Sequence, residues 1–521
     1  MKRRDFIRAV APVGFLGGFK LNAFSHLPFL QGLEDATDND HVLVLVQLVG
    51  GNDGLNTLVP LENYGDYFAA RSNIAIPEGS VLKLDSYIKS GLHPAMTGFQ
   101  SLYDADQLAI LQAVGYPNPD ESHFRATDIW LSGADSDQYL DTGWTGRFLG
   151  QTYTNFPVGY PNAVMPDPLA IQIGSVISPV FMSPNGSTAM AVPEDTDFYG
   201  LINGITEPEP DTPMGDELTY LRAVARQTNK YASVIEAAAA KVTSQYSGYP
   251  ANNDLAAQLK TVARLIAGGL KTRVYMVSTG GFDTHGGQVQ SGDTTTGNHA
   301  NLLGGLSDAI TAFMKDCQGL GIDKQVLGMT FSEFGRRTVS NGSFGTDHGA
   351  AQPVFIFGDS AQTGVLGNTP ILSGSNVESV VVMQYDFRSV YSTILRDWFC
   401  VSSSDVTTML FNNYQYLPFI NGNACNNNYD DLNNAGNNLI SNYPNPFNGS
   451  TTITFKTNGG HTLVQIFDTA GRLVMMPVDQ DYSQGTYNVI IDTAALASGV
   501  YYARLQNQSV QQVRTLLKLN R

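Results

Sequence analysis

One stretch limits this chain's fold more than any other: HVLVLVQLV, His41 to Val49. A strand with one face in water alternates apolar and polar residues. A nearly unbroken run of Val and Leu instead fits a strand covered on both faces, as in a parallel sheet between two helical layers. The run ends in the glycine-rich turn GGNDG, Gly50 to Gly54. Similar runs recur at QLAILQAVG (Gln107 to Gly115), RVYMVST, QVLGMTF and PVFIFG. Segments with helical spacing separate them, among them NNDLAAQLKTVARLIAGG and NHANLLGGLSDAITAFMKDCQGLG. Strands alternating with helices predict an α/β domain with a largely parallel sheet. At 521 residues, the chain is long enough for that domain and an appendage.

The formal net charge is −17. So acidic a chain argues against nucleic acid and anionic membranes as partners and suits divalent cations. The first residues, MKRRDFIRAVAPVGFLGGF, combine a basic start with a short apolar run. That run falls short of the roughly 20 residues needed to cross a bilayer. Residues 1–30 therefore read as an export signal, with Arg3-Arg4 as a twin-arginine pair and no transmembrane segment. Cys317, Cys400 and Cys425 do not make a disulfide scaffold. Cys400 and Cys425 flank the end of the main domain and can pair, but free, small hydrophobic thiols are the favoured expectation.

Composition changes after residue 420. NGNACNNNYDDLNNAGNNLISN, 421–442, is an Asn-rich linker with few apolar residues. Residues 443–521 hold period-2 runs separated by turns, the pattern of a small all-β sandwich. YPNPFNGSTTITF, VQIFDTAGRLV, GVYYARL and LLKLN together resemble the type A C-terminal sorting domain of the type IX secretion system. The resemblance implies the type IX secretion machinery as a partner, and a protein released or held at the outer cell surface after passing through the periplasm.

In doubly wound sheets, ligands bind beyond the C-terminal ends of the strands. The loops there offer Asp53, Ser122, Asp283, His285, Glu333 and, beside the strand PVFIFG, Asp347 and His348. Carboxylates and imidazoles are the usual ligands of zinc and manganese, and carboxylates alone suit magnesium or calcium. Asp53 reads either as a ligand or as the capping side chain of an Asp-Gly turn. Ser122 is either a nucleophile at a helix start or a plain N-cap, and His123 beside it is ambiguous. Asp283 and His285 stand two apart in an extended Gly-rich loop, so both can reach one ion. Glu333 is a ligand or the partner of Arg336 or Arg337, and Arg336 is a candidate clamp for a phosphate or sulfate oxygen.

VQLVGGNDGLNTLVP, GLHPAM, YPNPDESHFRATDIWLSG, GGFDTHGGQ and FSEFGRRTVSNGSFGTDHGAAQPVFIFG resemble, in order, the domain-of-unknown-function 1501 family over residues 40–420. The resemblance implies an alkaline phosphatase-like α/β/α sandwich and hydrolysis of a phosphate or sulfate ester at a metal centre. Asp53 then matches the first-strand acid, Ser122 the nucleophile, and His348 a distal ligand. Two departures accompany it. Ser332-Glu333-Phe334-Gly335 stands where the superfamily has Asp-His-Gly, and Asp283 and His285 lie closer than its usual pair. They imply a one-metal or degenerate site. The expected function is a secreted or surface-attached metal-dependent hydrolase of a small-molecule or glycan ester. A non-catalytic surface protein binding a glycan or protein partner is the alternative.

Overall fold

The computed structural model describes residues 39–84, 87–192, 231–421, 425, 440–443, 447, 450–468, 472–493, 496–507 and 510–518. The expected export signal and most of the Asn-rich linker lie outside these residues.

The main sheet is built from β1 (Val42–Leu48), β2 (Leu108–Gly115), β3 (Ala170–Ile173), β4 (Ala189–Val192) and β5 (Val274–Thr279). It continues with β6 (Val326–Phe331), β7 (Gln352–Phe357), β8 (Gly364–Leu366) and the short β9 (Tyr385–Asp386). The order is β8-β2-β7-β6-β1-β5-β3-β4, with β9 also on β2. β1 lies between β5 and β6 and is parallel to both. β7 is antiparallel to its neighbours β6 and β2. The expected α/β class with a largely parallel sheet is what the structure shows.

The two-faced burial of β1 is also visible. Val42, Val44, Val46 and Leu48 face one core, with Leu259 and Val262 of helix α2 (Asp254–Ala267) and Leu303 and Ile310 of α3 (Asn298–Leu320). Leu43 and Leu45 face a second core with Ile129 and Trp130 of α1 (His123–Ser132). Successive strand side chains point to opposite faces, so an unbroken apolar run must feed two helical layers. α2 starts where its sequence predicts: the Asn253 side chain accepts from the Ala256 N–H.

Cys400 and Cys425 form a disulfide, correcting the expectation that all three cysteines are free; Cys317 is a buried free thiol. The pairing is a long-range event that spacing alone does not reveal. It lies at the start of β1, where His41 stacks on Trp398 at 3.9 Å and the Trp398 indole N–H donates to the Val42 carbonyl.

The C-terminal segment is antiparallel β. Ser450–Asp468 pairs with Ile440–Tyr443, Leu473–Asp492 and Gly499–Asn507, and Gly499–Asn507 also pairs with Val510–Lys518. Phe447, Ile453, Phe455, Ile466 and Leu505 form a separate core. Among the described residues, no helix is long and apolar enough to cross a membrane.

Candidate metal centre

Strand direction explains why distant residues meet. β1, β5 and β6 run parallel, so their exits share one edge of the sheet. β7 is antiparallel to β6, so the residues entering β7 reach that same edge, and β2, antiparallel to β7, also leaves there. His123 follows β2 at the start of α1, Asp283 and His285 follow β5, Glu333 follows β6, and His348 precedes β7. At the exit of β1, Gly50 has φ +123°, and a Cβ there would stand 2.3 Å from the Asp283 nitrogen. Only glycine lets these two loops pack so closely.

Four side chains converge. The Asp283 carboxylate lies 3.2 Å from His285 Nε2, 3.4 Å from His348 Nε2 and 3.7 Å from His123 Nε2. The His285 and His348 Nε2 atoms are 2.9 Å apart. One ligand atom from each of His123, Asp283 and His348 can be chosen so that all lie within 4.8 Å of one another. With zinc bonds of about 2.0–2.1 Å, tetrahedral ligands are separated by roughly 3.3 Å. The observed separations bracket that edge, and Asp283 is half exposed at 47%, so an ion can reach it.

The far side of each ring strengthens the fit. His123 Nδ1 is 2.8 Å from Glu333 Oε1, His285 Nδ1 is 3.0 Å from Asp347 Oδ1, and His348 Nδ1 is 2.7 Å from the Glu121 carbonyl. All three partners are acceptors, so each Nδ1 carries the proton and each Nε2 presents a lone pair. Two imidazole lone pairs at 2.9 Å need a positive charge between them. Ligating histidines are held in this way by outer carboxylates and carbonyls in known metal sites. Phe334 packs against His123 and His348 with ring centroids at 4.9 and 4.6 Å, fixing both imidazoles from one side.

The other expected residues take different places. Glu333 is 1% exposed and sits behind His123, also accepting from the Gly50 N–H at 2.9 Å. Asp53 is fully buried: Arg71 Nη1 donates to both its oxygens at 2.8 Å and Gln288 Nε2 to Oδ2 at 2.6 Å. Burial alone would raise the Asp53 pKa, but the charges of Arg71 and His299 and these hydrogen bonds hold it below the usual carboxylate value. Arg336 is 1% exposed and spends its guanidinium on the carbonyls of Gly50, Gly51, Phe282 and Thr346 and on Asp283 Oδ1. The expected anion clamp thus faces the chain and not the solvent. For Asp283, burial pushes the pKa up, and the Arg336 bond and charge reverse that to a net lowering. Ser122 occupies the N-cap position of α1 with no cap hydrogen bond from its side chain, and it is exposed.

Sequence reading left His123 undecided and gave no role to Gln288 or Arg71. The signal for His123 was its place at a helix start beyond a core strand, the same criterion that selected Ser122.

Residues 205–398 match the family described as "Protein of unknown function (DUF1501)", and residues 441–518 match "Secretion system C-terminal sorting domain". The C-terminal match is the type IX sorting domain, which marks the protein as secreted or held at the outer surface. No curated protein matches it. Among solved structures, it is similar to a protein in the alkaline phosphatase superfamily from Vibrio parahaemolyticus, at 10% identity and TM-score 0.33, covering 84% of this chain and 82% of that one. It is also similar to the PsFucS1 sulfatase from Pseudoalteromonas sp., at 10% identity and TM-score 0.33, covering 89% and 86%. The lipoteichoic acid synthase LtaP from Listeria monocytogenes covers 64% of this chain and 73% of its own, at 8% identity and TM-score 0.29. Likeness at this level carries no argument about activity.

Proposed function

We propose that this protein is a secreted, metal-dependent hydrolase of sulfate or phosphate esters. The observation that carries the reading is the convergence of three imidazole Nε2 atoms on the Asp283 carboxylate, with every Nδ1 held from behind. His123, His285, His348 and Asp283 would hold a divalent ion, with zinc the best match to three nitrogens and one oxygen. A bound ion supplies Lewis acidity: it favours the ionised form of a nearby hydroxyl and neutralises charge on the transferred group.

The chain's own residues supply the remainder. Ser122, exposed and next in sequence to His123, is the proposed nucleophile. Its Oγ would form the bond to sulfur or phosphorus while the bond to the leaving alcohol breaks, its proton passing to solvent. Water would then release sulfate or phosphate from Ser122. Glu333, Asp347 and the Glu121 carbonyl keep each Nδ1 protonated, so that every Nε2 stays a donor to the ion. Arg336 holds Asp283 in place at 2.6 Å.

One observation favours a second reading. His285 stands beside the mutually close trio of His123, Asp283 and His348; with it, four protein donors would fill a zinc ion's coordination, and closed four-ligand sites are typically structural. On that reading the protein is a surface binder with a structural ion. Metal analysis of the exported protein, followed by assay of 4-nitrophenyl sulfate and 4-nitrophenyl phosphate before and after chelation, decides between them. Hydrolysis lost on chelation and restored by zinc supports the enzyme. One tightly held ion with no turnover of either ester supports the binder.

A further inference from the structure

A cavity of about 400 Å³ adjoins the four-donor cluster through Asp283. Its other walls come from Gly281, Thr284, Gly286, Asn298, Asn301 and Leu302. That volume falls within the roughly 300–1,000 Å³ of small-ligand sites.

Asn298 and Asn301 are three apart in the first turn of α3, and Leu302 follows, so the three share one helix face. That face looks onto the Gly-rich loop carrying Asp283 and His285. Among the hydrogen bonds of the described residues, neither asparagine carboxamide has a partner, unlike Thr284, whose hydroxyl donates to Gln288 Oε1 at 3.1 Å. The loop leaves the space open because of glycine. Gly281 has φ +97°, and a Cβ there would press on Leu302 at 3.2 Å.

The lining selects a chemistry. A carboxamide offers donors and an acceptor together, which matches a hydroxyl, itself both. No Lys or Arg lines the cavity. A carboxylate, phosphate or sulfate placed against these walls would find no lysine or arginine side chain to pair with. Leu302 provides one aliphatic wall, suited to the C–H face of a ring.

We propose that this cavity binds an uncharged, hydroxyl-rich group of monosaccharide size and so receives the alcohol portion of the ester. The assignment rests on the hydrolase reading for its role in turnover, while the binding site itself can be tested separately.

The test uses zinc-loaded full-length protein and saturation-transfer NMR with methyl glucoside, methyl galactoside and methyl fucoside, with glucuronate as the charged comparison. At least one neutral glycoside receives saturation, glucuronate receives several-fold less, and N298A/N301A reduces the neutral signal at least several-fold. G281A, which narrows the cavity from the opposite wall, has the same effect. Both asparagines are exposed, so folding of the double variant is checked by an unchanged melting curve. No transfer to any of the three glycosides, equal transfer to glucuronate, or an unchanged signal in both variants overturns the proposal. In a parallel assay, N298A/N301A raises KM about tenfold for a monosaccharide sulfate and by a smaller factor for 4-nitrophenyl sulfate, whose ring carries no hydroxyls for the carboxamides to bind. If the wild type cleaves neither ester, the hydrolase reading fails, and the NMR arm still decides the cavity.

Discussion

The Gln288 carboxamide donates to Asp53 Oδ2 at 2.6 Å while its oxygen receives the hydroxyls of Thr284, at 3.1 Å, and Thr346, at 3.0 Å. One side chain therefore ties the exit of β1 to two of the three loops that carry donor residues. We expect Q288L to weaken zinc affinity by up to about tenfold, the lower end of the effect of losing a direct outer partner of a ligand, because Gln288 holds the donor loops and not a ligand itself. Competition with a chromogenic chelator measures this, and an unchanged affinity would sever Gln288 from the centre.

Removing donors separates binding from chemistry. H348A and H285A each lower bound zinc from one per chain to well below that, as read by elemental analysis after dialysis. S122A keeps the full metal content but loses ester hydrolysis by roughly a thousandfold or more, as for other nucleophile deletions. Full turnover by S122A would remove Ser122 from the mechanism.

Arg71 and Asp53 form an ion pair in which both side chains are at most 1% exposed. Deleting one partner strands the other charge in the interior, which costs about 3–5 kcal/mol. R71M should lower unfolding stability by that amount in urea titration. A loss under about 1 kcal/mol would mean that water reaches Asp53.

Two histidines outside the donor cluster predict a pH response. Burial, assisted by the Arg71 and Arg336 charges and opposed by Asp53, pushes the His299 pKa down to about 4. Burial and then the neighbouring His299 push His93 down to about 3. The folded state thus prefers both rings neutral, while the unfolded chain protonates near pH 6.5. This contribution is complete above about pH 6.5 and is lost as pH falls toward 4, with His299 alone accounting for on the order of 3 kcal/mol. Asp53, whose pKa is lowered, adds a further loss below about pH 4. Urea midpoints should therefore drop between pH 6.5 and 4.5, and less steeply in H299Q. Parallel curves for the two proteins would show that His299 is not the titrating group.

The Cys400–Cys425 bridge closes a loop with a sequence separation of 25. Chain entropy assigns it about 3 kcal/mol of stability. C400S/C425S should show that loss in denaturant titration, and wild type in strong reductant should approach the variant.

The sheet was legible because apolar periodicity reports burial directly: His41 to Val49 could satisfy an unbroken hydrophobic run only between two layers. Asp283, His285 and His348 were legible as donor types in loops at strand ends. The layering of the site was not. Asp53 and Glu333 have the chemistry of ligands, yet burial beside Arg71 and behind His123 turned them into supports, and sequence carries no measure of such long-range desolvation. Arg336 shows the same limit, because its carbonyl partners are main-chain atoms that no residue type announces. The disulfide escaped for the related reason that its two halves meet only through tertiary packing.

The route by which force enters the domain follows from where the chain leaves it. Cys425 is bonded to Cys400 two residues beyond Trp398, which stacks on His41 at the first end of β1, while the four donors stand past the strand's other end. A pull on the sorting tail is therefore borne by covalent sulfur and the foot of the central strand. The loops around Asp283 lie off that route, past the opposite end of β1.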